Sequence, residues 1–255
     1  MWLRLRQVAL VASDLERARG LFEQVCGLAV CHRDPAVAEF GLHNILLPVG
    51  DQFIEVVAPT RDGTAAGRYL ERRGGDGGYM VITQCDDHAP RRARVDALGV
   101  RVVHAFASAD FRNLQLHPRD TGGSFFEIDQ QLGAGADARD GPWFPAGPDW
   151  QRARRLDRVQ GIAAAEIQAD DPQAVAARWA AIAELPCAAV GPAWVIALDG
   201  AELRFVPIRD GRPEGLGGLD LRCAEPAPVL AAARAAGCAV DGATIALAGM
   251  RLRLV

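Results

Sequence analysis

From Leu3 to Ala12 apolar and polar positions alternate, with Leu5, Gln7, Ala9 and Val11 on one side and Val8, Leu10 and Ala12 on the other, which predicts a strand. The period then becomes helical. Leu15, Ala18, Leu21, Phe22 and Val25 recur three or four apart, Ser13 and Glu16 have capping-box spacing, and Gly27 stops the helix. His43 to Leu47, a Pro48-Val49-Gly50-Asp51 turn and Gln52 to Val57 predict a hairpin closed by Pro59, with Phe53, Glu55 and Val57 on one face. The order then repeats. Met80 to Asp87 lies over Gln7 to Asp14, the next helix ends at Leu98-Gly99-Val100 as the first ends at Cys26-Gly27-Leu28, and a second hairpin runs to Glu127. In its last part, Thr121-Gly122-Gly123 marks a turn, and Ser124 to Asp129 alternates so that Phe125, Glu127 and Asp129 share a face. A carboxylate beside an aromatic on a half-buried strand is paired, metal-bound or unusually basic.

Two βαβββ units therefore fill the first half. Residues 133–155 lose all periodicity and are rich in Gly, Pro and Asp, which predicts a linker; its Trp143, Phe144 and Trp150 are too many aromatics for a free coil, so it should pack on a surface. The unit then returns twice, more faintly. Ala164 to Asp171 repeats the strand, Asp171-Pro172 opens a helix with Val175, Trp179 and Ile182, and Trp194 to Pro207 supplies a hairpin. The last copy runs from Gly218 through a helix ending at Ala236-Gly237-Cys238 to strands at Thr244–Leu247 and Arg251–Val255. The expectation is an α+β chain of four modules in two domains, 1–132 and 156–255, joined by 133–155.

Composition changes this picture little. Half of the 255 residues are hydrophobic, and a net charge of −4 gives no basic footprint, so neither nucleic acid nor an anionic membrane is the expected partner. All 28 cationic residues are arginine, which removes Schiff-base lysine chemistry and the Walker lysine. Six cysteines without a CxxC pair suit reduced core positions in a cytoplasmic protein. The arginine-broken N-terminus is not a signal peptide, and no apolar run approaches membrane-spanning length.

Three stretches carry a resemblance: VALVASDLERARGLFEQVCGL, LLPVGDQFIEVVAP and LHPRDTGGSFFEI. The chain resembles the vicinal oxygen chelate superfamily of glyoxalase I, methylmalonyl-CoA epimerase, extradiol dioxygenases and bleomycin-resistance proteins, whose members pair βαβββ modules into a cupped sheet. The last stretch is similar to the closing strand of the epimerases. The resemblance implies a small-molecule site in the cup, with metal ligands on the first and last strand of each module. By the repeat these fall on Gln7, Glu55, Met80 and Glu127. Gln7, Glu55 and Glu127 offer oxygen; Met80 stands where the family usually has histidine, and a thioether is a poor ligand for a hard ion. The set implies Mg, Mn or Ca rather than Zn, or no metal. In the second half the same positions map to Ala164, near Leu203, Gly218 and near Arg251, which hold no metal.

The resemblance assigns Glu127 and Glu55 as catalytic carboxylates and places Asn44, His117, Met80, Phe53 and Phe125 as substrate contacts. His43 precedes Asn44, so on a regular strand only one of the two faces the cup. Three functions stay open: a metal-assisted lyase, isomerase or epimerase acting next to a carbonyl; a metal-free, drug-sequestering binding protein; and a metal-free enzyme using a carboxyl of raised pKa as base. Dioxygenase chemistry needs histidines that the mapped positions lack. The partner implied is a small molecule, and a homodimer is left open.

Overall fold

The first alternating stretch forms β1, Leu3–Val11, and all nine residues are buried, so the strand is covered on both faces. Helix α1, Leu15–Leu21, continues through a π-turn at Phe22–Cys26 to Gly27, which takes the left-handed conformation at φ 69°. Its N-cap is Asp14, whose side chain accepts from the Arg17 N–H at 3.0 Å. Ser13 instead donates to Asp76 at 2.8 Å, so the cap lies one residue beyond the Ser13–Glu16 box. The hairpin forms as β2, Leu42–Val49, and β3, Gln52–Pro59. Helix α2, Ala65–Arg73, capped by Thr64 and ended at Gly74, is an insertion the repeat does not contain.

The second module is β4, Gly77–Cys85; α3, His88–Ala97; short strands β5, Val102–His104, β6, Phe111–Arg112, and β7, Gln115–Leu116; and β8, Phe125–Gln131. The third is β9, Gly161–Ala169; α4, Pro172–Ala183; β10, Cys187–Val190; β11, Ala193–Leu198; and β12, Ala201–Pro207. The fourth is β13, Gly215–Arg222; α5, Pro226–Ala235; β14, Val240–Asp241; β15, Thr244–Leu247; and β16, Met250–Leu254. Four βαβββ modules are thus present, the first having one strand reduced to a single bridge between His32 and Leu46.

The computed structural model describes residues 1–255 and arranges the modules as two mixed eight-stranded sheets. One runs β2-β3-β1-β4-β8-β7-β5, with β6 on β8, and the other β10-β11-β12-β9-β13-β16-β15-β14. At the centre of each, the first strands of two modules pair antiparallel, β1 with β4 and β9 with β13, and each is flanked by the parallel last strand of its own module. The architecture is α+β, as the repeat predicts.

Faces opposite the cups share one core of 47 buried residues from both halves, in which Phe126 of β8 stacks on Trp179 of α4 at 4.2 Å. At several places the halves meet with a glycine against the other half's backbone: a Cβ on Gly50 would collide with the Gln160 carbonyl, one on Gly249 with that of Asp76, and one on Gly123 with that of Glu214. Residues 133–155 fold back as a strap across the cup of the first sheet. Trp150 packs edge-on to Phe53 at 4.9 Å and Trp143 to Phe111 at 5.3 Å, both tryptophans being buried. Beneath them Arg6 is buried, donating to the carbonyls of Asp51, Arg139 and Gly141. Burial pulls its pKa down to about 10, so it stays charged at neutral pH. The strap gives the first cup a small apolar core of 14 buried residues; the second cup has none.

Candidate active site

The central pairing brings Gln7, Glu55, Met80 and Glu127 to one face. Gln7 lies opposite Ile82 of β4, and Ile82 lies beside Glu127 of β8. Gln7 Nε2 donates to Glu55 at 2.8 Å and Asn44 Nδ2 to the other Glu55 oxygen at 2.7 Å. Asn44 is fixed in turn by accepting from the Asp34 N–H at 2.8 Å. Burial pushes the Glu55 carboxyl above its ordinary pKa, and the two amide donors only partly offset this. Trp143 Nε1 donates to Gln7 Oε1 at 2.8 Å. An indole N–H is a donor only, so the strap dictates which way the Gln7 amide points.

The other half of the cup holds an acid pair. Glu127 and Asp129, two apart on β8, are both buried and lie close enough for each carboxyl to act on the other. Asp129 also accepts from Asn113 Nδ2 at 3.0 Å and from the Leu114 N–H at 3.3 Å, which offset part of the burial that raises its own pKa to about 7, so of the two acids it is the better stabilised as an anion. Burial, then the Asp129 charge beside it, holds the Glu127 pKa well above the ordinary carboxyl range. Glu55 adds to the same repulsion, and no cation appears among the groups that act on Glu127. Met80 accepts a long contact from Gln115 Nε2 at 3.6 Å.

A divalent ion does not fit this donor set. The Gln7 carbonyl oxygen faces Trp143, its NH₂ faces Glu55, and the fourth position is the Met80 thioether. What the arrangement supplies is proton chemistry: one carboxyl group in a web of neutral amides and another whose proton affinity is raised by burial and the Asp129 charge beside it.

The sequence-predicted residues divide accordingly. Gln7, Asn44, Glu55, Met80 and Glu127 come together. Phe125 lies at the cup half-buried, edge-on to Tyr79 at 4.9 Å. Phe53 is on the cup face but sealed under Trp150, so it supports the strap and is not open to a ligand. His117 is not brought to the cup: its Nδ1 accepts from the Arg119 N–H at 3.1 Å, capping a short turn, and its charged neighbours are Arg101, Asp120 and Arg119. His43 is exposed and Asn44 buried, as alternation requires. Asp129, Asn113 and Trp143 were missed as site residues. Asp129 had its signal in the Phe125-Glu127-Asp129 alternation; Trp143 had none, because nothing in a Gly/Pro-rich linker says where its indole lands.

In the second sheet, register corrects the mapped counterparts. Ala9 pairs Glu55 as Glu166 pairs Arg204, and Ile82 pairs Glu127 as Asp220 pairs Arg253. The equivalents of Glu55 and Glu127 are therefore Arg204 and Arg253, not Leu203 and Arg251.

A sheet built from paired modules, with carboxyl groups on its concave face, defines a vicinal oxygen chelate protein. The chain belongs to the glyoxalase-like domain family, whose sequence profile matches residues 8–183. It is 25% identical over 130 residues to mitochondrial methylmalonyl-CoA epimerase from Bos taurus, covering 50% of this chain and 74% of that protein. Among solved structures, a hypothetical protein from Staphylococcus aureus aligns over 99% of both chains with a TM-score of 0.68 at 12% identity. A mutant of 4-hydroxymandelate synthase from Streptomyces coelicolor aligns over 91% of this chain and 74% of its own, with a TM-score of 0.64 at 15% identity. These two likenesses are of fold. No helix is long and apolar enough to cross a membrane.

Proposed function

We propose that the first half, residues 1–132, is the catalytic domain of a small-molecule isomerase or epimerase that moves a proton at the carbon next to a carbonyl, with residues 156–255 as a second domain. The observation that carries this is the buried trio Glu55, Glu127 and Asp129, which faces no cation and whose pKa values are raised, chiefly by burial. Glu55 accepts two hydrogen bonds, the pattern of an ionised carboxylate, and acts as base on the Cα proton. Glu127 holds a proton next to the Asp129 anion and donates it towards the carbonyl oxygen as enolate charge develops. Return of the proton from Glu55 regenerates substrate, and delivery of the Glu127 proton to the opposite face of Cα gives the epimer, leaving Glu55 protonated and Glu127 ionised for the reverse turnover. Asn44 and Gln7 position the base, and Trp143 positions Gln7.

The epimerase relative supports a thioester of a 2-substituted malonic acid as the first probe. Incubation in D₂O followed by mass spectrometry should show α-deuterium incorporation, falling about 10²- to 10⁴-fold in Glu127→Gln. Equal rates in that variant would remove Glu127 from the chemistry. Saturable binding of probes without any exchange would favour the ligand-sequestering alternative.

A further inference from the structure

We propose that the concave face of the second sheet is a separate ligand site that takes an oxyanion, the carboxylate or phosphate group of a small molecule. It is an open trough of about 380 Å³, a volume suited to a metabolite-sized ligand. A shallower depression of about 540 Å³ adjoins it and shares Glu202, Asp220 and Arg253. No strap crosses this face, and no apolar core fills it.

The lining carries four arginines against three carboxylates, in a chain whose net charge is −4. Two arginines are committed to the buried acids. Arg204 bonds Glu166 through Nε at 3.0 Å and Asp220 through both Nη atoms at 2.7 and 2.8 Å. Arg251 bridges Glu166 at 3.1 Å and Asp210 at 2.9 Å. Each buried acid thus has at least one arginine bonded to it.

The other two have donors to spare. Arg209 comes no nearer to Glu166 than 3.8 Å, makes no hydrogen bond within the fold, and is 49% exposed. Arg253 uses Nε and Nη2 on Asp220, leaves Nη1 free, and is 51% exposed. A guanidinium fork with unused N–H groups matches the paired oxygens of a carboxylate or phosphate.

The floor is also cleared for the network. A side chain at Gly217 would strike Arg251 Nη2 and come within 3.0 Å of Gln168 Oε1. Arg251 Nε, on a side chain that lines the trough, has no partner in the fold. An unpartnered guanidinium donor on the wall of an open, arginine-rich trough is what a bound oxyanion would complete.

The test uses the full chain and two probes, inorganic phosphate and malonate, titrated at constant ionic strength with chloride as balance, and read by calorimetry and melting temperature. The wild type should bind at least one probe saturably. Phosphate alone assigns a phosphate ligand, malonate alone a carboxylate. Arg209→Gln with Arg253→Gln should weaken binding at least tenfold, and Arg209→Gln alone, which disturbs no hydrogen bond of the fold, should weaken it measurably. Glu127→Gln in the other cup should leave it unchanged. Absence of saturable binding by both probes overturns the proposal, as does wild-type affinity in Arg209→Gln, or loss of binding in Glu127→Gln.

Discussion

The two cups share module order and central strand register, yet their charges are opposed. Where the first holds Glu55 and Glu127 among neutral amides under a tryptophan strap, the second holds Arg204 and Arg253 among carboxylates in the open. In the first, burial raises the proton affinity of Glu55 and Glu127; in the second, arginine bonds hold Asp220 below its ordinary pKa against the pull of burial. Strand pairing is made by the backbone and tolerates either solution, so the cup-facing side chains decide what each half can do.

The largest expected effect strikes the second cup. Arg204→Met leaves Glu166 and Asp220, only 7% and 5% exposed, short of their main partner, and should cost about 3–5 kcal/mol in denaturant unfolding. Glu127→Gln, whose amide can still donate to Asp129, should cost less than about 1 kcal/mol at pH 7. Equal costs would erase the contrast between the cups.

pH should separate them next. Glu127 and Glu55 have raised folded-state pKa values, so the native state binds protons more tightly than the unfolded one. Their contribution is present at low pH and is lost as pH rises from the ordinary carboxyl range through the raised values, at about 1.4 kcal/mol for each tenfold difference in proton affinity between the two states. Asp220 runs the other way. Burial alone would raise it, but bonds from Arg204 and Arg253 hold it below its ordinary 3.8, so its contribution is present above that value and fades as pH falls. Thermal melts from pH 3 to 9 should show Glu127→Gln flattening the alkaline limb only.

A smaller effect sharpens the role of the strap. Trp143→Phe removes the partner of Gln7 Oε1 and should cost about 1–3 kcal/mol. Added Mn or Mg should leave the wild-type melting temperature unmoved; a concentration-dependent rise would show that the Gln7–Glu55–Glu127 set accepts an ion after all. The smallest effect concerns the division of the chain: brief trypsin treatment should cut first at exposed Arg155, beyond the anchored tryptophans, and inside neither β1 nor β8.

Much of this fold was legible because it rests on local rules. Alternation at Leu3 to Ala12, helical spacing after Asp14 and the Gly50 turn each express one element in one stretch of sequence, and the repeat then located the other modules. Helix α2 escaped because it belongs to no repeat. The carboxyls of the site were legible too, since a strand's two-residue period puts Glu55 and Glu127 on the faces they occupy. Their surroundings were not. That Gln7 is turned away from metal service depends on Trp143, 136 positions distant, and that His117 caps a turn depends on local backbone geometry. The charge reversal in the second cup was hidden by a one-residue error at Leu203, enough on a strand to exchange an inward side chain for an outward one.

The glycine contacts at Gly50 and Gly249 bear on how such a molecule diverges. Where the halves touch through main chain alone, the fit does not depend on which side chains line either cup, and mutations that recolour one leave the docking intact. Two halves of the same module order joined in this way share a frame but no chemistry. Each is free to drift towards its own ligand, as long as no side chain intrudes at the points where backbone meets backbone.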